Sequence, residues 1–275
     1  MTGRPVTRRP LTWRAEAGRQ LRRPRTRWSF GVLAALPLIL VAAFALGSGP
    51  GGGTRLVDLA TRGSANFAVF VLFASADFLL VILAALLSGD SVPAEASWST
   101  LRYLLTAPVS RARLLTSKLV VALTGTVSAV VLLPAWALLV GGVAYGWQPF
   151  TAPTGIGLSW AEFLPRLALA LGFIAVNLLQ VCGIAFLIGT LTDAPLGAVG
   201  GAVLVTIVSS ILDAVEALGD LRHALPMHYS RAWLQALSPE IGWTELQRGA
   251  LWSLIYAVIT VTAAFVVFRR RDILS

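Results

Sequence analysis

Six runs of apolar residues, each long enough to cross a bilayer, dominate the pattern of hydrophobic and polar positions. They cover residues 28–46, 67–87, 119–145, 164–191, 196–212 and 249–268. A helix needs about 20 mainly apolar residues to cross the hydrocarbon core. The pattern therefore predicts an all-α integral membrane protein with six transmembrane helices. The third and fourth runs exceed the length that a bilayer requires, so we expect these helices to tilt or to extend beyond it.

Composition supports lipid as the solvent of this chain. Of the 275 residues, 56% are hydrophobic and 13% are charged, and the mean hydropathy is +0.77. Soluble domains carry about 25% charged residues, because a surface that faces water needs them. The single cysteine, Cys182, lies within an apolar run, so the sequence contains no disulfide framework.

The basic residues predict the orientation of the six helices. Of the 22 Lys and Arg residues, 16 lie on one side of the predicted topology, in the N-terminal tail, the segment after the second helix and the C-terminus. Basic residues collect in cytoplasmic segments, so both termini should be cytoplasmic.

The tail holds nine arginines within residues 1–27 but no folded nucleic-acid module surrounds it, so we expect no nucleic-acid partner. The AFA sequence at residues 43–45 resembles a signal-peptidase site, but the apolar run before it spans a membrane, so we expect the first helix to be retained.

The segment between the second and third runs, residues 88–118, is basic, amphipathic and longer than a turn requires. Pro93 and Pro108 bracket residues 94–107, which can form about four turns of helix. An apolar stripe recurs there at helical spacing, formed by Trp98, Leu101 and Leu105. Such a helix can lie on lipid headgroups, or it can dock on a cytoplasmic partner and pass a push to two membrane helices. Amphipathicity alone leaves both alternatives open.

The sequence offers little material for catalysis. Lys118 is the only lysine, and Ser117 precedes it where a P-loop requires glycine. The only histidines, His223 and His228, lie five residues apart with no carboxylate at ligand spacing, so interfacial histidines are favoured over a metal site. No histidine lies within a predicted helix to serve as a base for a buried serine. We therefore predict no catalytic, cofactor-binding or metal-binding residues in this chain.

Polar and small residues within the apolar runs provide three further candidates. Asp77 falls near the middle of the second run and Asp213 at the outer end of the fifth. A carboxylate at membrane depth costs several kcal/mol unless it is paired or faces water, so Asp77 is a candidate transport residue. Equally, it can form a structural hydrogen bond to one of three polar side chains, those of Asn66, Ser75 and Asn177. Gly197 and Gly201 form a GxxxG pattern that is suited to close packing, either within one subunit or between two.

Three stretches resemble the permeases of the type-2 ABC export family. The stretch from GD at 89–90 through TLRYLLTAPVSRARLLTSK at 100–118 is similar to that family's cytoplasmic loop. LPMHYSRAW at 225–233 resembles its short outer helix, and FRRRDIL at 268–274 resembles its C-terminal signature. Ser99 departs from the glycine that the family often has at this position.

The resemblance implies the permease subunit of an ATP-driven exporter in a bacterial inner or plasma membrane. It implies a homodimer that forms the translocation pathway, with two copies of a separate ATP-binding subunit that carries the ATP and Mg²⁺. Gly197 and Gly201 would then contribute to the dimer interface. Coupling to the ATPase would use eight residues: Asp90, Glu95, Trp98, Leu101, Arg102, Leu105, Pro108 and Arg111.

The implied domain organisation has three parts. Residues 1–27 form a basic tail with an interfacial helix whose Trp13, Ala17 and Leu21 face lipid. Residues 28–275 form the permease domain, in which residues 216–248 make an outer re-entrant or interfacial segment. Two other functions remain open, namely a lipid-modifying membrane enzyme and an ion-coupled secondary transporter that uses Asp77.

Overall fold

The computed structural model describes residues 18–20, 22–47, 55–93 and 111–270. Apart from an isolated β-bridge between Thr151 and Gly157, the elements in these ranges are helices and turns. The helices are α1 Pro24–Gly47, α2 Arg55–Ala60, α3 Ser64–Ala76, α4 Leu79–Gly89, α5 Arg111–Tyr145, α6 Trp160–Leu191, α7 Pro195–Asp213 and α8 Trp243–Arg270. Two 3-10 helices, Glu216–Ala224 and Ala232–Leu237, lie between α7 and α8.

Five of these helices are long and apolar enough to cross a membrane, namely α1, α5, α6, α7 and α8. The pair α3 and α4 meets the same test jointly, which gives up to six spans. The all-helical, multi-pass membrane architecture that the sequence predicts is confirmed at this level. The helices start and stop within about four residues of the predicted limits except at α5 and α8, which begin at Arg111 and Trp243, eight and six residues before the predicted starts. Residues 111–118 of the predicted loop are therefore helical.

The second span is not the single helix that the sequence predicts. It consists of α3 and α4, which are bent by 54° at Asp77 and Phe78. Neither residue is a glycine or a proline, so the sequence gives no breaker signal. The hydroxyl of Ser75 donates to the carbonyl of Val71 at 2.6 Å, and this side-chain bond competes with the helical ladder just before the bend. The prediction of one helix over residues 67–87 is therefore wrong at its centre.

Helix α6 is the centre of the bundle and α1 lies at its edge. α6 packs against α4, α5, α7 and α8, whereas α1 packs mainly against α5. A hydrogen bond from Trp136 Nε1 to the carbonyl of Ala34, at 2.9 Å, joins α1 to α5. Much of the apolar side-chain surface of α1, including Trp28 and Leu46, is exposed in the single chain. In a bilayer this face contacts lipid at no cost, since lipid tails are as apolar as these side chains.

The spans alternate in direction, so the bundle has two distinct ends. The near end is the one at which α1, α5 and α7 begin and at which α4, α6 and α8 end. The far end holds the turn after α5 and the two 3-10 helices. At the far end α5 stops at Gly146, whose φ of 83° is the left-handed conformation that glycine adopts readily. α6 then starts with a capping box between Ser159 and Glu162.

The far-end connection between α7 and α8 enters the bundle. The carbonyl of Pro226 accepts a 2.7 Å hydrogen bond from Gln180 Nε2, and Gln180 lies about 30 Å along α6 from its first residue. Trp233 in the second 3-10 helix is 1% exposed, and Met227 and Tyr229 are also buried. The middle of the predicted segment 216–248 is thus inserted between helices.

Candidate functional site

Asp90 closes the near end of α4 as the centre of an ion cluster in which the carboxylate is buried and the two arginines are 27% and 59% exposed. Its two carboxylate oxygens accept from Arg23 Nη1 at 3.3 Å and from Arg25 Nη1 at 2.9 Å, and the residue is 6% exposed. Gln20 Nε2 adds a 3.1 Å bond to the carbonyl of Leu87 one turn earlier. Gln20 and Arg23, which precede α1, and Arg25 in its first turn thereby hold the last turn of α4. Charge-assisted bonds of this kind are stronger than neutral ones and fix geometry.

The same turn also packs tightly against α6. A Cβ atom added to Gly189 would lie 2.7 Å from the carbonyl oxygen of Gly89, closer than real Cβ contacts come. Ser91 and Val92, which continue the chain into the predicted coupling segment, are both 3% exposed. The start of that segment is therefore held in place by packing against α5, α6 and α8 and by the arginine pairs of Asp90.

Most of the predicted coupling residues lie outside the described residues, namely Glu95, Trp98, Leu101, Arg102, Leu105 and Pro108. So does most of the predicted interfacial helix, of which residues 18–20 are described as helical. Arg111 is the first residue of α5. Of the eight predicted residues, Asp90 is the one whose side-chain contacts are known, and they are made within the chain. Lys118, the last residue of the stretch that resembles the family's cytoplasmic loop, is buried in α5.

Asp77 lies at the bend between α3 and α4, and its partner comes from the inserted segment. Arg231 Nε donates to Asp77 Oδ2 at 2.7 Å. The Arg231 guanidinium also lies 5.7 Å from the ring centroid of Phe73, one turn before the bend in α3. A cation over an aromatic face is attracted by the ring quadrupole. The ion pair therefore ties the inserted segment to the bend.

The three partners that the sequence suggested for Asp77 bond elsewhere. Asn66 donates to the carbonyl of Thr151 at 2.7 Å, and Asn177 donates to the hydroxyl of Ser253 at 3.2 Å. Ser75 bonds within α3. These three predicted partners of Asp77 are wrong. The fold brings Arg231 to the level of Asp77, and this approach could not be predicted from the sequence alone. The only signal for this partner was that Arg231 is a basic residue, in a segment whose depth in the membrane the sequence does not define.

The Asp77–Arg231 pair forms one wall of a groove between α4 and α7. Residues of α4 and α7 line the groove on its two sides, among them Val81, Ile82, Thr206 and Ser210. Asp77 lies about 20 Å from each end of its span, counted as 1.5 Å per residue. The side chain of Arg231 is nevertheless 67% exposed. A guanidinium and a carboxylate at this depth are too costly to face hydrocarbon, so the groove is suited to face water or another protein surface.

A chain of polar side chains fixes the inserted segment at the far end. His228 Nδ1 lies 2.5 Å from Asp213 Oδ1 at the end of α7, and His228 Nε2 lies 3.0 Å from His223 Nδ1. Ser209 Oγ accepts from the backbone N–H of Met227 at 3.0 Å, and the hydroxyl of Tyr256 donates to the carbonyl of Ala224. The inserted segment is therefore tied to both α7 and α8.

The sequence analysis missed the carboxylate beside His228. Asp213 precedes His228 by 15 residues, a separation that matches no ligand motif, and the fold brings the two together. Within the described ranges no group of three or more His, Cys, Asp or Glu side chains is placed to hold a metal ion. The cluster is a hydrogen-bonded tether in the geometry seen here.

The two glycines of the GxxxG pattern have different surroundings. A Cβ on Gly201 would lie 3.3 Å from Ile188 Cδ1 of α6, so this glycine packs within the subunit. A Cβ on Gly197 would meet only Ala194 and Thr192 of its own chain segment. The buried face of α7 is instead formed by Ala198, Ala202, Thr206 and Ser209, which recur at helical spacing.

Comparison with known proteins adds one family. A family model described as a protein of unknown function (DUF2705) matches residues 40–274. The chain belongs to this family. The match covers five of the six predicted spans completely, together with both arginine-paired carboxylates. No curated protein matches the chain.

Proposed function

We propose that this protein is the permease subunit of an ATP-driven ABC exporter, and that it works as a homodimer with two copies of a separate ATP-binding subunit. The observation that carries the proposal is the position of α4. This helix of 11 residues has the clamped start of the predicted coupling segment at one end and the Asp77 groove at the other. A push on residues 94–107 would reach the groove through one short rigid element.

The groove supplies the second argument for transport. A spanning helix with a break at its centre can place polar groups at mid-membrane, because neighbouring elements satisfy the freed backbone groups. Here the break carries Asp77, and Arg231 neutralises it. The exposed side of this pair requires a polar environment, which a second copy of the chain and a water-filled path between the copies would provide.

The residues of this chain are better suited to coupling with a separate ATPase than to hydrolysing ATP themselves. Its only lysine is buried in α5 and is not part of a phosphate-binding loop. The ATP and Mg²⁺ would accordingly be held by the partner subunit. Closure of two ATPase subunits around nucleotide is the type of rigid-body movement that moves attached helices.

Reconstitution with candidate ATP-binding subunits tests the proposal. We expect one such subunit to co-purify with the chain, and its ATP hydrolysis rate to change when the chain is present in nanodiscs. The control is the same ATPase with the P-loop lysine replaced, which should bind but not hydrolyse. Failure of every ATPase encoded near this chain to bind it would contradict the proposal.

Orientation provides a separate test. The proposal places both termini in the cytoplasm and the turn after α5 outside. A reporter fused after Ser275 should read cytoplasmic, and one inserted at Ala152 should read external. A reversed result at either position would remove residues 94–107 from the side on which an ATPase binds.

Ion-coupled secondary transport is the second candidate, and the broken span favours it. Discontinuous helices with a charged residue at the break are the binding sites of many secondary transporters. In that case transport would follow an ion gradient without any ATPase. Uptake or efflux by the purified chain alone in proteoliposomes would distinguish this mechanism from the first.

A further inference from the structure

We propose that the hydrogen-bonded chain of Asp213, His228 and His223 at the far end binds protons and contains a latch that opens when the far side is acidified. The latch is the bond between His223 Nδ1 and His228 Nε2, which lie 3.0 Å apart. It holds a flap, the first 3-10 helix Glu216–Ala224, to the inserted segment that follows. The proposal requires neither of the two transport mechanisms, because it concerns the flap and its bonds alone.

The number of hydrogens on the two rings decides whether the latch can form. His228 Nδ1 lies 2.5 Å from Asp213 Oδ1, so the hydrogen of a neutral His228 lies there and its Nε2 accepts from His223 Nδ1. One added proton preserves the latch, because a charged His228 then donates from Nε2 to a neutral His223. A second added proton puts a hydrogen on both facing nitrogens. Two donors cannot bond to each other, so the latch opens.

Charge repulsion acts in the same direction once both rings are protonated. The ring centroids of His223 and His228 lie 4.7 Å apart, a distance at which two like charges disfavour each other. The hydroxyl of Tyr229 lies 3.3 Å from His223 Nδ1 and offers another acceptor. A charged His223 can therefore turn its N–H toward Tyr229 or water. His228 keeps its ion pair with Asp213.

The charges around the two rings favour uptake of the first proton. Besides Asp213, the charged or titratable side chains on the surrounding far-end elements are Glu216, Asp220 and Arg222 of the flap, Tyr229 and Arg231 of the inserted segment, Asp77 at the bend, Glu162 and Arg166 of α6, Glu240 in the connection to α8, and Glu245, Arg248 and Tyr256 of α8. Asp77 pairs with Arg231, and α6 and α8 each contribute one charge of either sign. The remaining charges are four carboxylates and one arginine. Nearby carboxylates favour the charged form of a histidine.

Few contacts other than the latch resist movement of the flap. None of the nine residues in this 3-10 helix is buried. Gly219 at its centre has a φ of 50°, a left-handed conformation that glycine adopts readily, and it interrupts the helix. The hydroxyl of Tyr256 donates to the carbonyl of Ala224 and holds the end of the flap to α8. Segments with few buried contacts open locally at low cost.

The latch lies where protons from the far side can reach it. His223 is exposed, and the side chains of His228 and Asp213 are 19% and 31% exposed. Asp213 is the last residue of α7, so the cluster lies at the end of a membrane span. The Asp77 groove extends to Ala214, two residues before the flap begins. Opening of the latch therefore frees the chain directly beside the far end of the groove.

Spin labelling tests the latch in the full-length protein in phosphatidylcholine nanodiscs. A nitroxide on Leu221→Cys reports the mobility of the flap, because Leu221 is 70% exposed and the native Cys182 is buried. We expect the rotational correlation time of the label to fall about threefold between about pH 7.5 and pH 5, the range in which histidines gain protons. A label on Thr154→Cys, in another exposed far-end turn, should not change. Equal mobility of the Leu221→Cys label at both pH values would overturn the proposal.

Two replacements of His223 separate protonation from the presence of the bond. His223→Asn keeps a donor near the position of Nδ1 but cannot gain a proton, so the flap label should stay immobile at both pH values. His223→Ala removes the donor, so the label should be mobile at both. A response to pH that persists in either variant would show that another group is the sensor and would overturn the proposal.

Nitrogen NMR of the histidines gives a readout that needs no label on the flap. The chain has two histidines, so ¹⁵N-histidine gives signals from this pair alone. We expect a coupling across the bond between the two rings at neutral pH and its loss near about pH 5. Asp213→Asn removes the carboxylate that favours protonation, so the loss should move about one pH unit lower. Absence of the coupling at neutral pH, or loss at the same pH in the Asp213→Asn variant, would contradict the proposed proton chain.

Discussion

The two carboxylates of the broken span are held in opposite ways. The carboxylate of Asp90 at the near end is 9% exposed and is shared by Arg23, which precedes α1, and by Arg25 in the first turn of α1, whose side chains are 27% and 59% exposed. Asp77 at the bend has one arginine, from the inserted far-end segment, and that arginine is mostly exposed. Removing one partner from a buried pair strands a charge and is costly. If the groove faces water, the Asp77 pair should contribute only about 0–1 kcal/mol, as exposed pairs do. We therefore expect the near end to act as a fixed joint and the bend as a site that can rearrange.

The close approach of α4 and α6 at the near end should give the largest effect. Gly189→Val places a side chain against the backbone oxygen of Gly89, where neither element can yield easily. We expect a loss of about 3 kcal/mol, at the upper end of the usual cost of overpacking. Thermal unfolding in detergent measures it. Gly200→Val is the matched control, because a Cβ there meets nothing within 4 Å. Equal melting temperatures for the two variants would show that α4 and α6 are not tightly packed at the near end.

Asp90→Asn tests the ion cluster of the same joint. The substitution keeps the shape and leaves Arg23 and Arg25 facing a neutral amide, so we expect a loss of about 2 kcal/mol. A triple variant that also carries Arg23→Gln and Arg25→Gln should recover part of this loss, because no charge is then stranded. If the Asp90→Asn variant is as stable as the native chain, the ion cluster at Asp90 contributes no more to stability than an exposed ion pair does.

Asp77→Asn should separate stability from function at the bend. If the groove faces water, we expect a loss of at most about 1 kcal/mol and normal assembly, because a solvated guanidinium can lose its partner at little cost. Asn keeps much of the hydrogen bonding and loses the charge, so we expect transport, or substrate-dependent ATP hydrolysis, to be lost. Arg231→Gln should give the same result. Normal transport by both variants would reduce the pair to a packing role.

Arg102→Glu should have the smallest effect on the fold. On the predicted helix 94–107 a charge reversal should change the free energy of unfolding by no more than about 0.5 kcal/mol. At an ATPase interface, however, it places like charges together and weakens binding. We expect normal insertion and reduced co-purification with the ATPase. Arg248→Glu, a charge reversal at an exposed position of the far end, is the control. Intact association of the Arg102→Glu variant with the ATPase would indicate that the predicted helix 94–107 is a surface anchor.

The spans could be predicted from sequence more completely than the site. Long apolar runs identify α1, α5, α6, α7 and α8, because each needs only its own residues to satisfy its backbone in a membrane. The bend at Asp77 could not be predicted from the usual breakers, since neither Asp77 nor Phe78 is a glycine or a proline. Asp90 and Asp77 were both identified as candidates. Their arginine partners were not, because Arg25 and Arg231 lie 65 and 154 residues away from them in the chain.

The sequence by itself determined the solvent, the number of apolar runs and the resemblance of residues 89–118 to a coupling loop. These features are local, since hydrophobicity and helical periodicity are properties of neighbouring residues. The tertiary structure decided the depth of residues 225–237, the face of α7 that packs inside, and the partners of both carboxylates. Each depends on which segments meet across the bundle. These contacts between distant segments are stabilised by close packing and by the pairing of buried charges, and neither can be predicted before the fold is known.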